Sequence, residues 1–116
     1  MKTCPTCHQE VKEIKQHIVA KVLEWGAVSD EEMNWKDAKK WCAEQGDGWR
    51  LPTRVELVQA FDEGMLTGDD RWFWSSTEDY NNAAYAWIVY LVTGYTSNYT
   101  KTTSYYVRCV QECVII

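Results

Sequence analysis

The stretch Trp49-Arg50-Leu51-Pro52-Thr53-Arg54-Val55-Glu56-Leu57 constrains this chain more than any other. Pro52 disfavours the helical region for Leu51, so the backbone runs extended up to the proline. Thr53 is then placed to cap a new helix, with Glu56 three residues on to close a capping box. Extended backbone, a corner and a helix start are thus set side by side. Local chemistry does not require the tryptophan and arginine ahead of the corner. Nor does it require Trp74-Ser75-Ser76-Thr77 or Val107-Arg108-Cys109-Val110, which follow in order.

Patterning around this corner predicts an α+β domain. Ile18 to Trp25 reads as a strand, apolar on both faces at Val22 and Leu23, with Gly26 ending it and Ser29–Glu32 as a turn. Asn34 is placed to cap a first helix, and Asp37 favours the positive end of its dipole. Trp35, Ala38, Trp41, Cys42 and Gln45 then follow helical spacing, until Gly46-Asp47-Gly48 stops the helix. The second helix starts at Thr53, buries Val55, Leu57, Val58 and Phe61, and ends near Gly64. Beyond a loop from Met65 to Asp70 everything has β character. Trp72–Ser76 is a short strand, and Tyr85–Val92 is a longer one, apolar on both faces and so central. Gly94–Thr103 reads as a polar hairpin and Tyr105–Val110 as the last strand.

Bulk properties exclude several functions. A chain of 116 residues fits one domain, and seven Trp with seven Tyr can anchor a small core. A net charge of −5 argues against nucleic acid as the partner, because such proteins present a basic face. No apolar run approaches the ~20 residues of a membrane span, so no membrane insertion is expected. The start, Met1-Lys2-Thr3-Cys4-Pro5, lacks the apolar segment of a secretory signal peptide, which points to a cytoplasmic protein.

Residues 1–17 read as a separate Cys/His-containing leader ahead of a body spanning 18–116. Cys4-Pro5-Thr6-Cys7-His8 supports three readings. A zinc knuckle would use Cys4 and Cys7 with His17 as third ligand, and His8 or Cys113 or a neighbouring subunit as further donors. Covalent haem attachment matches the Cys-x-x-Cys-His spacing but needs export and an axial partner. The third reading is two solvent-facing thiols on a tail. Zinc is the one cofactor expected.

The body resembles the Lcl C-terminal-domain family, small domains of C-type-lectin-like fold. The resemblance rests on Leu23-Glu24-Trp25, Met33-Asn34-Trp35-x-x-Ala38-x-x-x-Cys42, Trp49-Arg50-Leu51-Pro52-Thr53 with Glu56-Leu57, Trp74-Ser75-Ser76-Thr77, Ala86-Trp87-Ile88-Val89 with Gly94, and Val107-Arg108-Cys109-Val110. It implies two helices packed on a twisted, mainly antiparallel sheet, with the N- and C-terminal strands adjacent. It also implies that Cys42 and Cys109 meet, either as a disulfide or as two buried thiols in contact. Trp49, Arg50, Trp74 and Arg108 are expected to be structural. Arg50 would tie loop carbonyls together, Arg108 would pair with Glu56 or Asp62, and the Ser75–Thr77 hydroxyls would satisfy loop backbone. The Glu-Pro-Asn and Trp-Asn-Asp signatures of calcium-dependent sugar binding are missing, so no calcium is expected.

Binding in such folds uses the irregular loops and the strands beneath them. Tyr80, Asn81, Asn82 and Tyr85, with Tyr95, Asn98 and Tyr99, are therefore the candidate ligand-binding residues. Their Tyr/Asn/Ser/Gly composition resembles that of antibody paratopes. No nucleophile–base arrangement is evident, so no enzyme is expected. The leading expectation is a non-enzymatic lectin-like binding or assembly module. Its partner would be a protein or a cell-surface glycan, and its setting a phage or prophage virion, with homo-oligomerisation as one form of assembly. The alternative is a small zinc-binding intracellular interaction or regulatory protein.

Overall fold

A computed structural model describes residues 20–66 and 69–115. Seven elements follow in order: β1 (Ala20–Val28), α1 (Trp35–Ala43), α2 (Arg54–Asp62), β2 (Trp72–Asp79), β3 (Asn82–Tyr90), β4 (Tyr95–Thr100) and β5 (Arg108–Ile115). β1 pairs antiparallel with β5, so the first and last described strands lie side by side. β2, β3 and β4 form a second antiparallel sheet with β3 in the middle. The fold is α+β, with two helices, antiparallel sheets and adjacent first and last strands, as the resemblance implied; the strands divide into two sheets where a single sheet was expected.

Both helices begin where the capping residues put them. Asn34 Oδ1 accepts from the Asp37 N–H at 2.8 Å. The Thr53 hydroxyl accepts from the Glu56 N–H at 3.1 Å, while the Glu56 carboxylate accepts from the Thr53 N–H at 2.8 Å. Each helix is only nine residues long, too short to hold its shape without packing. Trp35, Ala38 and Cys42 of α1 pack with Trp74, Ala86, Ile88 and Leu51. Leu57 and Ala60 of α2 pack with Phe73, Val89 and Leu91. Trp74 lies opposite Ile88, and Phe73 opposite Val89. Neighbouring positions on a strand face opposite ways, so the helices cover opposite faces of the three-stranded sheet.

Several elements differ from the sequence reading. β1 passes through Gly26 to Val28, because an irregularity between Trp25 and Val28 lets pairing with β5 resume at Arg108. A Cβ at Gly26 would lie 3.2 Å from the Trp49 ring, so this glycine serves close packing and does not stop the strand. Val55 is exposed rather than buried: it lines an open groove beside the β3–β4 turn and joins neither core cluster. β2 and β3 meet in a tight turn at Tyr80-Asn81, which starts β3 at Asn82. The hairpin turn joining β3 to β4 is Leu91–Gly94, so Tyr95–Thr100 is a single edge strand paired to β3. Leu91 looked like strand because it is apolar, and it is buried in the turn beneath α2. The last strand starts at Arg108; Tyr105 forms only an isolated bridge to Met33.

Candidate functional site

The signature segments meet one another. β2 bulges between Trp74 and Glu78, where pairing with β3 shifts register. The bulge carries Ser75-Ser76-Thr77 against the proline corner. The Ser76 N–H donates to Pro52 O at 2.7 Å, and the Arg54 N–H, first in α2, donates to the Thr77 hydroxyl at 2.8 Å. Ser75 is fully buried, and its hydroxyl donates to Trp87 O at 2.8 Å. Two indoles tie α1 to the same place: Trp35 Nε1–H donates to Ser75 O at 2.8 Å and Trp74 Nε1–H donates to Met33 O at 2.9 Å. These tryptophans fill the core and also satisfy irregular backbone, as buried indoles generally must.

The closing segment docks by the same means. Val107 N–H donates to the Ser29 hydroxyl at 3.0 Å, and Ser29 N–H donates back to Val107 O at 2.8 Å. Sequence reasoning took Ser29 for a turn residue; it is buried, and its partner is 78 positions away. Arg108 Nε–H donates to Gly26 O at 2.8 Å. Its expected carboxylate partner, Glu56, belongs instead to Arg50, at 2.8 Å from each of two guanidinium nitrogens. Arg50 adds one loop carbonyl, Leu51 O at 3.2 Å, and Glu112 at 3.3 Å. The Arg50 hydrogen bond is the main reason the Glu56 carboxyl sits below its ordinary pKa, against an opposing effect of burial. A disulfide joins Cys42 in α1 to Cys109 in β5, with Cα atoms 5.4 Å apart. Trp49 is half-buried against the same core.

The candidate binding residues are spread along the three-stranded sheet and its β2–β3 turn. Tyr80 is the tip of the β2–β3 turn and is 98% exposed; Asn81 and Asn82 beside it are also exposed. That turn is held by its own side chains: Asp79 Oδ1 accepts from Asn81 N–H at 2.8 Å, and Asn82 Oδ1 from Ala84 N–H at 3.0 Å. Such local bonds fix a turn without a core beneath it. Asn98 reaches this end of the sheet, its amide donating to Asp79 Oδ2 at 2.5 Å. Tyr85 is half-buried opposite Thr100, and Tyr99 lies opposite Ala86.

Tyr95 is elsewhere, at the far end of β4 opposite Tyr90. Five residues of strand, about 17 Å, separate it from Thr100. The seven residues thus do not converge on one pocket. What the register does assemble is a row. Trp72, Tyr90 and Tyr95 are successive cross-strand partners, and Trp72 stacks on Tyr90 with centroids 5.0 Å apart. Tyr95, Ser97 and Tyr99 alternate along β4 and share that face. Tyr99 meets Tyr105 edge-on at 5.8 Å, and Tyr105 meets Trp74 at 5.2 Å. Burial raises the Tyr105 pKa above its ordinary value. Tyr95 and Tyr99 remain 68% and 48% exposed. Sequence alternation in Tyr-Thr-Ser-Asn-Tyr marks this shared face once β4 is recognised as a strand; Trp72, Tyr90 and Tyr105 were missed because their partners are cross-strand.

Cys4, Cys7 and His17 lie outside the described residues. Among the described residues, no group of three or more His, Cys, Asp or Glu is placed to hold a metal ion. Among them, too, no helix is long and apolar enough to cross a membrane.

A family model described as the Lcl C-terminal domain matches residues 13–111. No curated protein matches the chain at the sequence level. Among solved structures it is similar to EMS16, an antagonist of the collagen receptor integrin α2β1 (GPIa/IIa). The likeness covers 93% of this chain and 98% of that one, at a TM-score of 0.53 and 13% identity. At that identity it is the fold that the two share. With the family match running through all six signature segments, the chain belongs to the Lcl C-terminal domain family.

Proposed function

We propose that this domain is a non-enzymatic, lectin-like binding module that engages its partner through the exposed tyrosines of the β2–β3 turn and β4. One observation carries the reading. Most of the chain's aromatic side chains are at least half-buried, yet Tyr80, Tyr95 and Tyr99 stand in solvent, two of them on a sheet face already lined by Trp72, Tyr90 and Tyr105. Tyrosine offers large contact area at low entropic cost, which suits recognition of a protein or of the apolar face of a cell-surface glycan. The similar EMS16 is an antagonist of a protein receptor, which supports a protein partner. The proposed setting is a phage or prophage virion assembled in a cytoplasm, where the module serves adhesion or assembly.

Affinity isolation from the native source, followed by binding assays with Tyr80→Ala, Tyr95→Ala and Tyr99→Ala, tests this. The variants should fold normally and lose the isolated partner. A partner that binds the triple variant as well as the parent would overturn the proposal. A second reading, supported by the Cys-Pro-x-Cys spacing, places recognition in a zinc-bound leader using Cys4, Cys7 and His17. Removing residues 1–17 separates the two: partner binding should survive, and elemental analysis of the intact protein reports whether zinc is present.

A further inference from the structure

The other face of β4 borders a groove that the tyrosine surface does not use. It lies between α2 and the β3–β4 turn, encloses about 590 Å³, and is lined by Val55, Val58, Phe61, Thr96, Arg54 and Asp62 among others. That volume falls within the range of small-ligand sites, about 300–1,000 Å³. Its width is set by Gly94, which has φ 76° and sits so close to Phe61 that a Cβ there would lie 2.9 Å from the ring. Val55 is 65% exposed at its mouth, an apolar side chain on the first turn of α2 outside either core cluster.

Arg54 stands at one end of the groove. Its guanidinium carbon lies 4.3 Å over the Trp87 ring. The other three arginines each have an acceptor: Arg50 has Glu56, Arg71 has Asp69, and Arg108 has Gly26 O. Among the described residues no carboxylate or carbonyl takes the side-chain N–H groups of Arg54; only its backbone N–H is engaged, by Thr77. The indole contact holds the guanidinium in place while its side-chain donors are left for a ligand, a pre-organised arrangement for a carboxylate. Asp62 lines the same groove eight residues on, about 12 Å along the helix. A ligand with anionic groups at both ends is therefore disfavoured. A neutral sugar would leave Arg54 without its counter-charge and the Val55–Val58–Phe61 floor without an apolar partner.

We infer that this groove binds an acidic–apolar peptide segment, with one carboxylate on Arg54 and aliphatic side chains on Val55, Val58 and Phe61. The site is distinct from the tyrosine surface and stands independently of it.

Titrations of the isotope-labelled full chain with acetyl-Glu-Leu-Leu-amide and acetyl-Gln-Leu-Leu-amide, followed by amide NMR shifts, test the inference. The glutamate peptide should shift amides of α2 and of Thr93–Thr96 and bind about tenfold tighter than the glutamine peptide, the usual weight of a charge-assisted hydrogen bond. Arg54→Gln should erase that preference. Val55→Glu, at an exposed position where folding is not at stake, should weaken binding of both peptides. Equal affinity for the two peptides, a preference that survives Arg54→Gln, or shifts confined to other elements would each overturn it. Hexanoate binding as tightly as the glutamate peptide would overturn the peptide assignment. The Tyr80, Tyr95 and Tyr99 variants should leave the titration unchanged, so failure of the tyrosine proposal and failure of this one are separable.

Discussion

Around the proline corner, polar groups are buried and bonded across the fold; at the β2–β3 turn and at Tyr95 and Tyr99 of β4, side chains reach solvent, and the turn backbone is held by its own residues. In the first region Ser29, Ser75, Trp35 and Trp74 bond to backbone between 12 and 78 positions away. In the second, Asp79 and Asn82 bond to backbone two positions on. Long-range bonds make a region intolerant of change, because any loss strands a buried partner. Short-range bonds leave neighbouring side chains free to vary without cost to the fold. The signature residues therefore report on folding, and the proposed tyrosine surface lies outside them.

The largest test of this contrast is Trp74→Ala. It should cost about 3–5 kcal/mol through the cavity alone, enough to leave the chain largely unfolded by circular dichroism. Removing the Cys42–Cys109 disulfide, which spans 67 positions, by Cys42→Ala with Cys109→Ala should cost about 4 kcal/mol on loop-closure grounds, read as a drop in urea midpoint. Ser29→Ala leaves the Val107 N–H buried without its acceptor and should cost about 1–3 kcal/mol, a larger loss than a surface turn serine would show.

Glu56→Gln is a smaller test, about 1 kcal/mol at neutral pH for a half-exposed bidentate pair. Its pH dependence carries the information. Arg50 holds the folded carboxyl below its ordinary value near 4.5, so this stabilisation is fully present above that value. It is lost as pH falls through the lower, folded value. Parent and Glu56→Gln midpoints should then converge in acid; a constant gap at every pH would show that the pair contributes nothing ionic. Tyr80→Ala sits at the bottom of the scale, within about 0.5 kcal/mol of the parent. A loss comparable to that of Ser29→Ala would erase the distinction between the two regions.

Legibility in the sequence followed the range of the interactions. Asn34 and the Thr53–Glu56 box announce both helix starts because a cap and its target lie within one turn. The central place of β3 was also legible, from its two apolar faces. Gly26 misled because only pairing with β5, some 80 residues away, decides that the strand continues. Arg108 was assigned a carboxylate on charge alone, whereas Gly26 O reaches it across the bulge. Val55 fits a helical period, yet it lines an open groove and joins neither core cluster. The aromatic row was invisible for the same reason: Trp72, Tyr90 and Tyr95 become neighbours only once the strand register is known.

The pairing of β1 with β5 has a mechanical consequence. Ala20 lies opposite Ile115, so both ends of the described chain leave from the same end of one ladder. Tension applied through those ends would load the ladder like a zip, one residue pair at a time. Within β5, Cys109 is covalently tied to Cys42. That tether closes a covalent loop over the 67 positions that separate them, so a load carried from one end of the chain to the other bypasses Trp49, Trp72, Trp74 and Trp87 within it.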